Sequence, residues 1–204
     1  MKKILEKFYK ELEIYNINSK LERVGSKNDG GYVVATNLSK NINLLSFGVE
    51  DNFEFELDIQ KYIKTKSIKL FDHTIKPIKN KNFKYFNKGL SDEKSTNFTT
   101  LEREIKNLKN SSKNILKLDI EYDEWKIFEK INVNTLKKFE QIIVEFHPFF
   151  LNDYDVNSRS ELSPYFYSFS KNNYKKINIE LIKKYTKVIK KLNDNFILYH
   201  ISLN

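Results

Sequence analysis

The sequence predicts an α/β domain built on a Rossmann-like, doubly wound and mainly parallel sheet. Three observations predict it. Short apolar runs alternate with amphipathic segments at helical spacing. Runs such as Ile142-Ile143-Val144 are apolar at successive positions, as strands covered on both faces must be. Each run is followed by an acidic residue or a glycine turn. That is the rim where open α/β sheets bind ligands, beyond the carboxyl ends of their strands.

Residues 2–15 carry Ile4, Leu5, Phe8, Leu12 and Tyr15 at helical spacing and predict an N-terminal helix. Residues 23–34 then read as a turn feeding a short strand, with Asp29-Gly30-Gly31 as permissive backbone and Tyr32-Val33-Val34 as β-prone residues. The alternating core follows. Strands are expected at 42–47, 67–71, 83–86, 115–118 and 142–146. Helices are expected at 51–62, with Phe53, Leu57 and Ile63 inward, at 100–108 and at 124–131. Residues 149–175, rich in aromatics, Ser and Asn, break the rhythm and read either as a cover over the site or as a long surface connection. A Lys-rich amphipathic helix at 179–192 and a strand at 196–201 close the chain. The expected organisation is one domain over 1–204: N-terminal helix and first strand at 1–40, cofactor-binding core at 41–147, variable excursion at 148–178, and C-terminal helix and strand at 179–204.

A chain of 204 residues suits one such domain. It has 36 basic and 27 acidic residues, net +9, but the basic residues are nearly all Lys spread along the chain, with Arg only at 23, 103 and 159. Phosphate recognition favours Arg, so a nucleic-acid partner is not expected, whereas an anionic small substrate suits the charge. The absence of Cys excludes disulfides, zinc-thiolate sites and Cys nucleophiles. No apolar run is long enough to span a membrane and the N-terminus lacks a signal-peptide core, so a cytoplasmic location is expected. A homodimer is compatible with the aromatic-rich 149–175 segment.

The strand ends carry the chemistry: Ser46-Phe47-Gly48-Val49-Glu50-Asp51 after the first, Asp72-His73-Thr74 after the second, Gly89-Leu90-Ser91-Asp92 after the third, Asp119-Ile120-Glu121 after the fourth, and Glu145-Phe146-His147 at the fifth. Helix capping would account for Asp51 and Asp123. The first turn has one glycine and lacks Gly-x-Gly-x-x-Gly, which disfavours a pyrophosphate dinucleotide; no P-loop occurs either. One close-approach glycine suits a cofactor without phosphate, and an acid at 72 is placed to accept from ribose hydroxyls. A nucleoside joined to a sulfonium amino acid satisfies both.

Arg23-x-Gly25, Asp29-Gly30-Gly31-Tyr32-Val33-Val34, Ser46-Phe47-Gly48, Phe55-Glu56-Leu57, Phe71-Asp72-x-Thr74 and Leu116-Lys117-Leu118-Asp119-Ile120-Glu121-x-x-Glu124-Trp125 occur in order. Together they resemble the FkbM-like class I methyltransferases, in the branch associated with bacterial surface-polysaccharide gene clusters. The resemblance covers about residues 23–147, with a weaker echo at Tyr199-His200-Ile201. It implies S-adenosylmethionine as cofactor and a hydroxyl, on a sugar or sugar-nucleotide for capsule or other surface polysaccharide, as acceptor. It implies that Gly48 with Phe47, Val49 and Glu50 holds the methionine part, Asp72 the ribose, and Ser91 and Asp92 the adenine edge. Asp29, Gly31, Tyr32, His73 and Asp119 count with the cofactor-binding residues; Tyr32 and His73 also have bland readings, as a strand-filling aromatic and a loop histidine. Asp119 and Glu121 would lie near the transferred methyl.

Three departures stand out. Tyr122 replaces the usual Gly, His73 replaces the usual Pro, and the chain ends at Asn204, before the last strand of the pattern. A non-catalytic scaffold of the same fold and an RNA methyltransferase are the competing functions. Methyl transfer to a hydroxyl needs a group to take its proton. His147 is the first candidate, with a turn-capping histidine before Pro148 as its structural alternative; Asp119 and Glu121 are the others. A divalent metal is not expected, although Asp119, Glu121, Glu145 and His147 would suit Mg²⁺ or Mn²⁺.

Overall fold

A computed structural model describes residues 2–11, 19–27, 29–38, 40–76, 79–108, 113–121, 123–147, 179–194 and 199–203. Its centre is a six-stranded sheet. In chain order the sheet strands are β3 (Ile42–Phe47), β4 (Thr65–Phe71), β5 (Lys84–Phe86), β8 (Asn114–Leu118), β9 (Gln141–Phe146) and β10 (Tyr199–Leu203). Their spatial order is β10-β9-β8-β3-β4-β5, and every neighbouring pair is parallel. The order runs outward from β3 in one direction through β4 and outward from β8 in the other. The switch point therefore lies between the ends of β3 and β8. The expected doubly wound parallel sheet is present.

Alternate side chains of the central strands serve opposite faces, and both faces are covered. Leu45, Phe47, Leu116, Leu118, Ile142, Val144 and Phe146 point into one core. It is closed by Phe8 of α1 (Lys2–Glu11), Trp125 and Phe128 of α4 (Glu124–Lys130), and Val188, Ile189 and Leu192 of α6 (Ile179–Asp194). Ile42, Leu44, Ile115 and Ile143 point the other way, towards Phe55 and Ile59 below α2 (Glu54–Asp58) and Val24, Tyr32 and Val34. Each such buried side chain contributes about 1.5–3 kcal/mol relative to exposure, which is why strand runs apolar at every position are stable here.

Several elements differ from the sequence expectation. The 23–34 stretch is a full antiparallel hairpin, β1 (Leu21–Gly25) with β2 (Gly31–Ala35), rather than a turn and one strand. Its turn needs Gly31, because a Cβ there would meet the Ser26 carbonyl and the Arg23 guanidinium that donates to the Ser26 and Lys27 carbonyls. The helix expected over 51–62 is α2 followed by a 3-10 turn at Ile59–Lys61. Starting at Glu54, it turns Phe55 and Ile59 inward and leaves Leu57 38% exposed, so the inward assignment of Leu57 is corrected. A two-stranded sheet of β6 (Gly89–Leu90) and β7 (Phe98–Thr99), and a short α5 (Val133–Leu136), were not expected. Between β7 and α5 runs α3 (Leu101–Lys106), capped by the Thr100 hydroxyl. The 149–175 excursion and Tyr122 lie outside the described residues. Among the described residues no helix is long and apolar enough to cross a membrane.

Candidate functional site

The turn after β3 is set by close approach. Gly48 has φ +70, and a Cβ on it would collide with the Asp119 carbonyl of the turn after β8. The Asp119 amide donates to the Phe47 carbonyl at 3.1 Å, so the two turns are laced across the switch point. Glu50 continues the turn at φ 45, exposed at the rim. Burial, then the charges of Asp119, Asp72 and Glu121, push the Glu50 carboxyl upward.

Asp72 follows β4 and is buried. Its Oδ2 accepts from the Val49 and Glu50 amides at 3.1 and 3.0 Å, and its Oδ1 from the Thr74 amide and hydroxyl at 2.7 and 2.6 Å. Burial opposes ionisation, but these hydrogen bonds prevail and hold the carboxyl below its usual range. Four donors fill the usual acceptor positions of a carboxylate. Asp72 thus ties the turn after β3 to the end of β4.

The other predicted residues divide. His73 is exposed, its ring 4.8 Å from that of Phe98. Ser91 donates to Asp92 at 3.2 Å, while Asp92 is pinned by Lys126 at 2.7 Å and by Lys130, both of α4, which draw its pKa down. Asp29 is exposed in the hairpin turn, with its carboxylate accepting from the Gly30 amide. Asp123 precedes α4 without making a side-chain cap, and Asn52 rather than Asp51 accepts from the Glu54 amide, so helix capping does not explain either acid.

At the ends of β8 and β9 the structure brings Asp119, Glu121, Glu145 and His147 together. Period-2 geometry places Lys117, Asp119 and Glu145 on the sheet face that the hairpin covers. Tyr32 of β2 reaches across to that face: its hydroxyl lies 2.8 Å from Asp119 Oδ2 and 3.1 Å from Glu145 Oε2. Burial and these two charges push the phenol well above its usual range. Burial and Asp119 push Glu145 up to about 7. His147 Nδ1 lies 2.9 Å from Oε1 of Glu124, a fully buried carboxylate that also accepts from the Ile120 amide. His147 Nε2 lies 3.9 Å from both Asp119 Oδ1 and Glu121 Oε1. Burial lowers the imidazole pKa, but the Glu124 hydrogen bond and the surrounding acids outweigh it and raise the value to about 9. Trp125, stacked on Phe146 and Tyr185, donates to the His147 carbonyl at 3.0 Å and fixes the backbone there.

Sequence reasoning missed the buried charges beneath this rim. Lys117 donates to the Gly48 carbonyl at 2.7 Å, lies 3.4 Å from Asp119 Oδ2, and sits 5.2 Å from the Tyr32 ring centroid. Glu56 is buried under the same turn and accepts from Ser46 at 2.5 Å. Burial pushes its carboxyl up, with the Lys117 charge opposing. Glu124, within the Asp-Ile-Glu-x-x-Glu-Trp motif, carries no sequence sign of its contact with His147. The one available signal was a Lys or Glu interrupting an otherwise apolar run.

A parallel sheet that reverses at β3/β8 defines a Rossmann-like domain, and the one-glycine turn and the polar cluster lie at its switch point, where folds of this class bind ligands. Its family follows from comparison: a family model described as a methyltransferase domain matches residues 5–191, and the chain belongs to that family. The family in general uses S-adenosylmethionine. Searches of curated proteins and of solved structures returned no match.

Proposed function

We propose that this methyltransferase transfers the methyl of S-adenosylmethionine to a hydroxyl of a sugar or sugar-nucleotide, as its resemblance to the FkbM-like, surface-polysaccharide branch implies, in a cytoplasmic setting. One observation carries the reading: the Gly48 turn and the Asp119–Glu145–His147 group lie against each other across the switch point. A cofactor on the turn would present its methyl to the acid–imidazole group.

Phe47, Gly48, Val49 and Glu50 hold the methionine and sugar of the cofactor in this reading. Asp72 acts by fixing that turn, because its acceptor positions are filled by its own chain. The ribose contact then passes to the exposed Glu50 carboxylate. Ser91 and the Asp92 backbone, with His73 beside them, border the adenine. Asp29 and Gly31 shape the hairpin turn, and Tyr32 reaches from β2 to the acceptor end. The acceptor oxygen attacks the methyl carbon in line with sulfur. A C–O bond forms, the S–C bond breaks with its electron pair to sulfur, and the hydroxyl proton passes to a carboxylate of Asp119 or Glu121, which the neighbouring His147 imidazolium holds ionised.

Calorimetry with S-adenosylhomocysteine tests the cofactor: binding is expected, and its absence in the folded chain would remove the proposal. Glu50→Gln should weaken that binding while leaving the thermal midpoint unchanged. Asp72→Asn should lower both, since it releases the turn. If Glu50→Gln binds like wild type, the ribose assignment to Glu50 is wrong. His147→Ala should lower turnover on a sugar acceptor about 100-fold, the lower end for disabling a proton-transfer group, with S-adenosylhomocysteine affinity within a few-fold of wild type.

A further inference from the structure

Resting on that reading of the site, we infer that Asp119, Glu145 and His147 bind a divalent cation of the Mg²⁺/Mn²⁺ class at the acceptor end. One ligand atom from each residue lies within 4.8 Å of the others. Bonds of about 2.1 Å put neighbouring ligand atoms roughly 3 Å apart and opposite ones roughly 4 Å apart, so the group needs only a small closure to surround one ion.

Two features beyond clustering point to a cation. First, the imidazole is already oriented. Glu124, fully buried, holds Nδ1 at 2.9 Å, which turns Nε2 towards Asp119. A carboxylate behind a histidine is the arrangement that fixes ring and tautomer for metal binding through the far nitrogen. Second, the 3.9 Å from Nε2 to Asp119 Oδ1 is too long for a hydrogen bond and suits two ligands of a common ion. Two carboxylates and one imidazole, with no thiol in the chain, match Mg²⁺ or Mn²⁺ rather than a soft metal. Such ions keep open positions for water and substrate oxygens. The acceptor class this implies is a hydroxyl flanked by a second oxygen, as in a sugar diol.

The test uses the full chain, stripped with EDTA and titrated with Mn²⁺ while electron paramagnetic resonance reports the free ion. One bound equivalent is expected. Glu145→Gln and His147→Gln should weaken binding at least tenfold. Tyr32→Phe, which keeps all three ligands and removes only the competing hydroxyl, should bind Mn²⁺ as tightly as wild type or more tightly. S-adenosylhomocysteine calorimetry on the same samples separates the two ideas. Cofactor binding with no Mn²⁺ binding at millimolar concentration overturns the cation site and leaves the methyltransferase reading standing. Mn²⁺ binding that survives both ligand substitutions, or is lost in folded Tyr32→Phe, also overturns it.

Discussion

Gly48→Ala is expected to destabilise the fold by about 2–5 kcal/mol and to abolish S-adenosylhomocysteine binding. The estimate has two parts. A non-glycine residue at φ +70 carries left-handed strain of about 1–2 kcal/mol. The added methyl would also collide with the Asp119 carbonyl, which is backbone and cannot rotate away. Overpacking of that kind costs typically 1–3 kcal/mol, because the turns after β3 and β8 must separate. Separation would break the Asp119 amide bond to the Phe47 carbonyl and displace the Asp119 carboxylate from Tyr32 and Lys117. Domains of this size are stable by roughly 5–15 kcal/mol, so the variant should remain folded at low temperature yet show a clearly lower urea midpoint. A variant within 0.5 kcal/mol of wild type by the same measurement (roughly the scatter of a neutral surface substitution) would show that the two turns are not rigidly laced.

The strands were legible because their physics is local. Ile115-Leu116-Lys117-Leu118 and Ile142-Ile143-Val144 are apolar on both pleat faces, and the structure buries both faces. The one-glycine turn was legible because the alternative, a pyrophosphate loop, demands glycines the chain lacks. The first hairpin strand was not legible. Leu21, Glu22 and Arg23 are exposed or half-buried on an edge, and only Val24 is buried, so no alternation marks the segment. Its pairing with β2 depends on a turn held by Arg23, a contact set by three-dimensional position. The acids at the strand ends were found from sequence, but their partners were not. Tyr32 meets Asp119 across 87 positions and Glu145 across 113, and no local pattern encodes such distances. Asp72 is expected from sequence to hold the ribose because it follows a strand, but its hydrogen-bond partners were not legible. That Thr74 and the turn amides would occupy it depends on how the turn after β3 folds over the second strand.

Lys117→Met should destabilise the chain by about 3 kcal/mol, the second large effect, and the cause is charge rather than packing. Methionine matches the lysine stem in length and flexibility, so little apolar contact is lost. What disappears is the ammonium that donates to the Gly48 carbonyl and faces Asp119. Lys117 is 4% exposed, and its field also opposes the burial that penalises Glu56. Breaking a buried charge arrangement by removing one partner costs about 3–5 kcal/mol, because the remaining charge is left uncompensated; the partial exposure of Asp119 places this case at the low end. The orphaned partner identifies the mechanism. Glu56 Oε2 already lacks a hydrogen-bond partner among the described residues, so Glu56 should carry much of the penalty. Glu56→Gln in the Lys117→Met background should therefore recover part of the loss, while Glu56→Gln alone should not stabilise to the same degree. A double-mutant cycle by urea denaturation measures that coupling. Additive losses would mean that Lys117 acts only through the Gly48 carbonyl. In that case S-adenosylhomocysteine affinity should fall in Lys117→Met whether or not Glu56 is neutralised, because the turn rather than the buried charge would be what the lysine supports.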